Sequence, residues 1–242
     1  MDQSTVQPAP HLVADGSLTN IALTPAARAR RVIELLLLYA GLPLAISYLV
    51  RVHHFSILLL LQPVMIAIVL FLLFDRTFSV KRELGRLLPG REALAILGLF
   101  IAVAVALAAF MARFQPEMFL SLPRRSTLFW AIIMVFYPIV SAFPQELIYR
   151  TLYFHRFGAV FGSHRLLAAI VNGALFGFAH IMFGSWISVV LSGLLGFVIA
   201  WRYSHARSFW GAWFEHALYG DLVFTVGLGR YFFTGNGFVH SG

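Results

Sequence analysis

The chain of 242 residues contains no cysteine, which excludes both a disulfide framework and a thiolate metal site. Charged residues are also scarce, at 12% of the composition, whereas hydrophobic residues reach 60%. A soluble domain of this size cannot bury so many apolar side chains, because the surface per unit mass decreases only slowly as a protein grows. A bilayer accepts apolar side chains on the outside of a protein. The composition therefore predicts an integral membrane protein.

Long apolar runs predict an all-α, polytopic membrane protein with about seven transmembrane helices, since a span needs about 20 apolar residues. The predicted helices cover residues 32–50, 56–74, 93–112, 127–154, 166–182, 185–203 and 209–227. Apolar interiors without an alternation of period two argue against a barrel. Residues 1–31 are polar, lack the apolar core of a signal peptide and are expected to form a disordered tail. Residues 32–242 are expected to form a single transmembrane domain.

The net charge of +8 arises from lysines and arginines that lie mainly in the connections between apolar runs. This placement favours lipid as a partner and argues against nucleic acid. Most of these basic connections lie on the same side of the membrane as the N-terminus. The positive-inside rule therefore predicts a cytoplasmic N-terminus in an inner or plasma membrane.

Ionisable residues inside the predicted spans each need a reason, because burial in hydrocarbon costs at least about 2.5–3.5 kcal/mol on insertion scales. Glu146 and Arg150 are four residues apart on the fourth predicted helix, so they share a face and can form an ion pair. The pair would keep the carboxylate of Glu146 charged. It could belong to a functional site or could merely fix helix packing.

Two histidines, His180 and His216, lie on later predicted helices. One glutamate and two histidines can bind a divalent metal such as zinc or activate water directly. Glu146, His180 and His216 are therefore the candidate catalytic residues and the candidate metal ligands. A lone histidine in a membrane helix can also be a hydrogen-bonded structural residue. Glu215 is explained as well by a contact between helices.

Three short motifs occur in the second half of the chain, in a fixed order. They are Gln145-Glu146 followed by Arg150, Phe176 followed by His180, and His216 followed by Gly220 and Asp221. In order and spacing they resemble the CPBP (Abi) family of CAAX prenyl endopeptidases and bacteriocin-processing or immunity proteins. The family pattern is Glu-Glu-x-x-x-Arg, then Phe-x-x-x-His, then His-x-x-x-Asn. The resemblance covers about residues 125–230.

The resemblance implies a membrane endopeptidase in which the glutamate of the first motif and the histidine of the second activate a water. The histidine and asparagine of the third motif would stabilise the oxyanion, and a metal ion has also been proposed. Gln145 stands in place of the first glutamate, and an amide cannot act as a base. Gly220 stands in place of the asparagine, with Asp221 adjacent. Glu146 is therefore the expected base.

The remaining roles follow from that assignment. His180 would hold the water, His216 would stabilise the oxyanion, Arg150 would keep Glu146 charged and Gln145 would orient the water or substrate. The expected function is hydrolysis of a peptide bond in a peptide or protein at the membrane. Two alternatives remain: a non-catalytic member that binds a peptide or membrane partner, and a small transporter that relays protons through Glu146 and His180.

Overall fold

The computed structural model describes residues 23–233, with the side chain of Leu58 left aside, and this range contains helices and no strand. Its seven long helices are α1 (Pro25–His53), α2 (Ile57–Phe74), α3 (Gly90–Phe114), α4 (Thr127–Phe161), α5 (Arg165–Phe183), α6 (Trp186–Ala206) and α7 (Phe209–Val226). Short helices at Val80–Leu84 and Ser121–Arg125 lie in the connections, and a 3₁₀ turn at Leu228–Phe232 follows α7. The predicted all-α class is confirmed.

Five of these helices, α1, α3, α4, α5 and α6, are long and apolar enough to cross a membrane. The apolar part of α2, Leu59–Phe74, is shorter than these five helices. Helix α7 is not among the five either. Large apolar side chains point outward, including Leu94 on α3 and Leu128 on α4, which are 72% and 75% exposed. Such surfaces suit contact with lipid. The fold is that of a polytopic membrane protein, but the predicted count of seven spans is not confirmed.

The ends of two predicted helices need correction. The first helix begins at Pro25, after a cap in which the Thr24 hydroxyl accepts a hydrogen bond from the Ala27 amide. The expected disordered tail of residues 1–31 therefore extends too far, because residues 25–31 are helical. Residues 1–22 of that tail and residues 234–242 of the expected domain lie outside the described residues. The fourth helix continues to Phe161 rather than ending at Phe154.

Glycines bring α5 and α6 into close contact. A β-carbon on Gly173 would lie 2.7 Å from the backbone nitrogen of Phe197, and one on Gly177 would lie 2.6 Å from the carbonyl oxygen of Val189. A β-carbon on Gly196 would lie 2.9 Å from the side chain of Phe176. Glycine is therefore needed for the two helix backbones to meet. This contact fixes the height of Phe176 within the bundle.

Candidate active site

Two π-helical turns interrupt α4 on either side of the first motif, at Pro138–Ala142 and Leu147–Leu152. Turns of this kind inside α-helices occur frequently at functional sites. Side chains from other helices bond carbonyl oxygens in these turns. Trp213 on α7 donates to the carbonyl of Pro138 across 2.7 Å. The π turns thus provide backbone acceptors that attach neighbouring helices to the first motif.

The second π turn receives bonds from α1 and α5. The Tyr39 hydroxyl donates to the carbonyl of Ile148 at 2.7 Å, and the Asn172 amide donates to the carbonyl of Tyr149 at the same distance. In an apolar environment each of these bonds satisfies a carbonyl that water cannot reach. The first motif is therefore held from three neighbouring helices, α1, α5 and α7.

Glu146 is the centre of a buried charged cluster. Its side chain is fully buried, and one carboxylate oxygen accepts a hydrogen bond from Nδ1 of His216 at 2.8 Å. The other oxygen lies 3.1 Å from Nε of Arg150. The predicted burial of the Glu146–Arg150 pair is confirmed. Two basic partners hold the carboxylate, which makes charged Glu146 acceptable at this position.

Arg150 has further partners that explain its complete burial. One of its terminal nitrogens donates to the side-chain oxygen of Asn172 and to the carbonyl of Tyr149. Its guanidinium also lies 5.3 Å from the centre of the Phe176 ring, within reach of a cation–π contact. Arg150 therefore connects the first motif to the helix that carries the second.

Phe176 contacts both histidines. The ring centres of His180 and His216 lie 4.8 Å and 5.4 Å from the ring centre of Phe176. The three motifs are therefore brought together: Glu146 contacts His216 directly, and Phe176 contacts both His216 and His180.

His180 lies in a 3₁₀ turn, His180–Phe183, at the end of α5. Its Nδ1 lies 2.8 Å from the carbonyl oxygen of Phe176. Because a carbonyl only accepts, Nδ1 must carry the proton. The neutral ring therefore keeps a lone pair on Nε2, and this atom forms no hydrogen bond within residues 23–233.

A cavity of about 400 Å³ borders residues from all three motifs. Gln145, His180 and His216 contribute to its wall, together with Phe176 and Gly220. Glu146, Arg150 and Asp221 do not border it. Glu146 thus lies one layer behind the cavity and reaches it through His216.

Two residues of α4 at this cavity lie outside the three motifs. Ser141 accepts a hydrogen bond from Nε2 of Gln145 at 2.8 Å, and the Tyr137 hydroxyl lies 3.0 Å from Nε2 of His216. Both line the cavity. The spacing of Tyr137, Ser141 and Gln145, four residues each, is a signal in the sequence that would have placed them on one helix face.

Asp221 does not border the cavity. One of its carboxylate oxygens is buried without a hydrogen-bond partner among the described residues. Glu215 is also directed elsewhere, because its carboxylate forms an ion pair with Arg202 on α6, with Nε and Oε2 2.9 Å apart. The contact between helices that the sequence allowed for Glu215 is therefore present.

The candidate metal ligands Glu146, His180 and His216 are not grouped around one point in the described residues, and the expectation of a divalent metal stays untested. Within the part of the chain that the structure describes, no group of three or more histidine, aspartate or glutamate side chains could hold a metal ion. Both ring nitrogens of His216 already have partners, as do both oxygens of Glu146. Glu146, His180 and His216 in this arrangement do not fit a metal ion.

Comparison with known proteins adds a family to this geometry. The family model described as type II CAAX prenyl endopeptidase Rce1-like matches residues 126–220. This range includes the three motifs and makes up less than half of the chain. Searches of curated proteins and of solved structures found no match. The resemblance carried by the three motifs is confirmed, because residues 126–220 of this membrane protein match the Rce1-like CAAX prenyl endopeptidase family.

Proposed function

We propose that the chain is an intramembrane endopeptidase that hydrolyses a peptide bond with a water activated at His180. The family match supports a peptidase in the membrane. The observation that carries the proposal is the shared cavity, whose wall includes Gln145, His180 and His216, one residue from each motif. Its volume of about 400 Å³ is sufficient for a side chain and a peptide group.

His180 is the proposed base. Its Nε2 accepts a proton from water as the water oxygen attacks the peptide carbonyl carbon, and the same proton passes to the leaving nitrogen. The sequence favoured Glu146 for this role, and that assignment stays untested. The burial of Glu146 and its two basic partners favour His180 instead, since the carboxylate has no access to a water in the cavity.

Gln145 is the proposed orienting residue. Because its amide nitrogen donates to Ser141, its amide oxygen is the atom that can accept a hydrogen bond from the attacking water. Glu146 orients His216 through Nδ1, and in this proposal the protonated ring of His216 stabilises the oxyanion by its positive charge, since both ring nitrogens already have hydrogen-bond partners.

A second cavity of about 560 Å³ extends between α1 and α2 and shares Ser141, Gln145 and His180 with the first. A peptide bond held at Gln145 and His180 would therefore have room for substrate on both sides. The proposed partners of the protein are lipid and a membrane peptide or protein, and not nucleic acid. The proposal also keeps the cytoplasmic N-terminus and the inner or plasma membrane.

The substitution of Gln145 for glutamate favours one alternative, a non-catalytic member that binds a peptide in the same cavity. The change removes one ionisable group from the cavity wall and leaves its shape intact. Such a protein would bind peptides with the same residues but would release them uncut.

Cleavage of peptides that end in a CAAX sequence, with and without a prenyl group, tests the proposal in liposomes. We expect His180→Ala to lower kcat by about 10²–10⁴-fold, because the proton acceptor is lost. His205→Ala is the matched control. His205 forms the same 2.8 Å bond from Nδ1 to a carbonyl four residues earlier, that of Trp201, but borders neither cavity. It should keep full activity.

The outcomes separate the two functions. Equal cleavage by wild type and His180→Ala contradicts the proposed base. Peptide binding by wild type without any cleavage establishes the non-catalytic alternative. Gln145→Glu restores the paired carboxylates of the family pattern, and we expect it to keep or raise cleavage in an enzyme.

A further inference from the structure

Gly220 has no side chain, and the ring of Tyr137 on α4 occupies the space next to it. A β-carbon on Gly220 would overlap two ring carbons and the hydroxyl oxygen of Tyr137. The family pattern places an asparagine where Gly220 stands. The end of the Tyr137 ring therefore occupies the volume in which the side chain of that asparagine would begin.

The Tyr137 hydroxyl also has the right neighbours. Its oxygen lies 3.0 Å from Nε2 of His216, and Tyr137 lines the cavity together with His180 and Gln145. Phe224 packs edge-on against the Tyr137 ring, with ring centres 5.5 Å apart, and restrains its orientation. A phenol and an asparagine amide both present a hydrogen-bond donor.

We propose that Tyr137 is a catalytic residue that supplies, from α4, the oxyanion donor that the family pattern places on the helix of His216. This inference rests on the proposed function. It explains how a chain with glycine in the third motif can retain a complete oxyanion site. The side chain of Tyr137 on α4 takes the place of the asparagine side chain that the family pattern puts on α7, and Gly220 leaves the room for it.

The hydrogen bonds define the protonation state in which this donor operates. Glu146 can only accept, so Nδ1 of His216 carries a proton. When Nε2 is protonated as well, it donates to the Tyr137 oxygen and leaves the phenolic hydrogen for the oxyanion. The carboxylate of Glu146 is then the counter-ion of the imidazolium, and the chain of donors ends in the cavity.

The first test is cleavage of the same CAAX-ended peptides in liposomes. We expect Tyr137→Phe to lower kcat by about 10²–10³-fold with KM nearly unchanged, as for other single oxyanion donors. Tyr153→Phe is the matched control. The Tyr153 hydroxyl, also on α4, donates a buried hydrogen bond to the carbonyl of Ala168 at 3.0 Å, but Tyr153 borders neither cavity and should keep full kcat. Full kcat in Tyr137→Phe overturns the inference.

The second test exchanges the two side chains. Gly220→Asn alone should be inactive and less stable, because the new side chain displaces the phenol. The double variant Tyr137→Ala/Gly220→Asn restores the family arrangement and should regain at least about tenfold over Tyr137→Ala in kcat. A double variant no more active than Tyr137→Ala contradicts the exchange.

Melting temperatures of the same four proteins give a readout that does not need catalysis. The loss caused by Gly220→Asn should be smaller in the Tyr137→Ala background, because the overlap is gone. If Tyr137→Ala and Gly220→Asn have coupled effects on the melting temperature but wild type cleaves no peptide, the proposed function and the donor role of Tyr137 are both refuted. Only the conclusion that the side chains at positions 137 and 220 compete for one volume then remains. Independent melting temperatures, in an active wild type, refute the exchange alone.

Discussion

Two of the buried glutamate–arginine pairs in residues 23–233, Glu146–Arg150 and Glu215–Arg202, differ in what else their carboxylates contact. Glu146 and Arg150 are four residues apart on α4, and both side chains are fully buried. Glu215 on α7 is equally buried, but its partner Arg202 lies on α6 and is 25% exposed. Both nitrogen–oxygen distances of the second pair, 2.9 Å and 3.3 Å, indicate a bidentate contact.

The difference between the pairs follows from His216. Glu146 shares its other oxygen with this histidine, whereas Glu215, the residue before His216, points about 100° away around the helix toward α6. One carboxylate therefore contacts the cavity wall, and the other holds two helices together. Burial of an ion pair does not by itself indicate a functional site. What distinguishes Glu146 is its additional contact with His216, which lines the cavity.

The largest expected effect separates the two carboxylates by activity. Glu146→Gln should lower kcat by about 10³–10⁴-fold, because an amide can donate to Nδ1 of His216, favours the wrong tautomer and cannot balance an imidazolium. Glu215→Gln should remain within about threefold of wild type, since its carboxylate pairs with Arg202 and Glu215 borders neither cavity. Peptide cleavage at matched protein levels provides the measurement.

The comparison fails if the two variants lose activity equally, because Glu215 would then act on the site as well. Melting temperatures in detergent serve as the control for folding. Glutamine preserves the shape of glutamate at both positions, so a shared loss of stability alone would leave the difference in kcat intact.

The second effect concerns stability and the two arginines. Arg150→Met should cost about 3–5 kcal/mol, because it leaves Glu146 charged and buried with only His216 beside it. Arg202→Met should cost less, about 1–3 kcal/mol, since Arg202 is partly exposed and solvent or lipid headgroups can reach its partner. Denaturant unfolding in detergent micelles measures both. A larger loss in Arg202→Met would reverse the assignment of the two pairs.

The sequence was sufficient for the residues whose chemistry is unusual in a membrane. Glu146, Arg150, His180 and His216 are costly in hydrocarbon, and their order matched a family pattern. Tyr137 and Ser141 escaped notice because a tyrosine and a serine are ordinary in a membrane helix and carry no such cost. The exclusion of Glu146 from the cavity depends on side-chain directions in the π turns, which spacing along a regular helix does not define.

The helices were predicted better than their ends. Apolar runs located all seven long helices, because lipid demands continuous apolar faces. The start of α1 at Pro25 was missed, since its first two turns carry Arg28, Arg30 and Arg31 and read as a tail. The end of α4 was missed because His155 and Arg156 pair with Asp75, which follows α2, and with Glu34 on α1, and the sequence alone does not show these pairs.

The smallest expected effect belongs to a third acidic residue, Asp75, which follows α2 at the edge of the bundle. One of its oxygens accepts bonds from the backbone and hydroxyl of Thr77 at 2.9 Å and 2.7 Å, and the other lies 3.1 Å from Nε2 of His155. Partial burial opposes ionisation of this carboxyl, but the bonds from Thr77 and His155 outweigh it, and the pKa of Asp75 is lowered. A pKa lowered in the folded state means that the charge stabilises the fold above the unfolded pKa of about 4. That contribution is lost as the pH falls through the folded pKa.

Asp75→Asn should therefore lower the melting temperature by about 2–3 °C at pH 6, in line with less than about 1 kcal/mol for a partly exposed pair. The gap to wild type should shrink as the pH is lowered to 3, because wild-type Asp75 then loses its charge as well. Glu117→Gln, at an exposed acidic residue, is the control and should show no such dependence. Scanning melting curves of the three proteins between pH 6 and pH 3 decide the matter. A gap that widens toward pH 3 would mean that protonated Asp75 stabilises the fold more than charged Asp75 does, which would contradict the prediction.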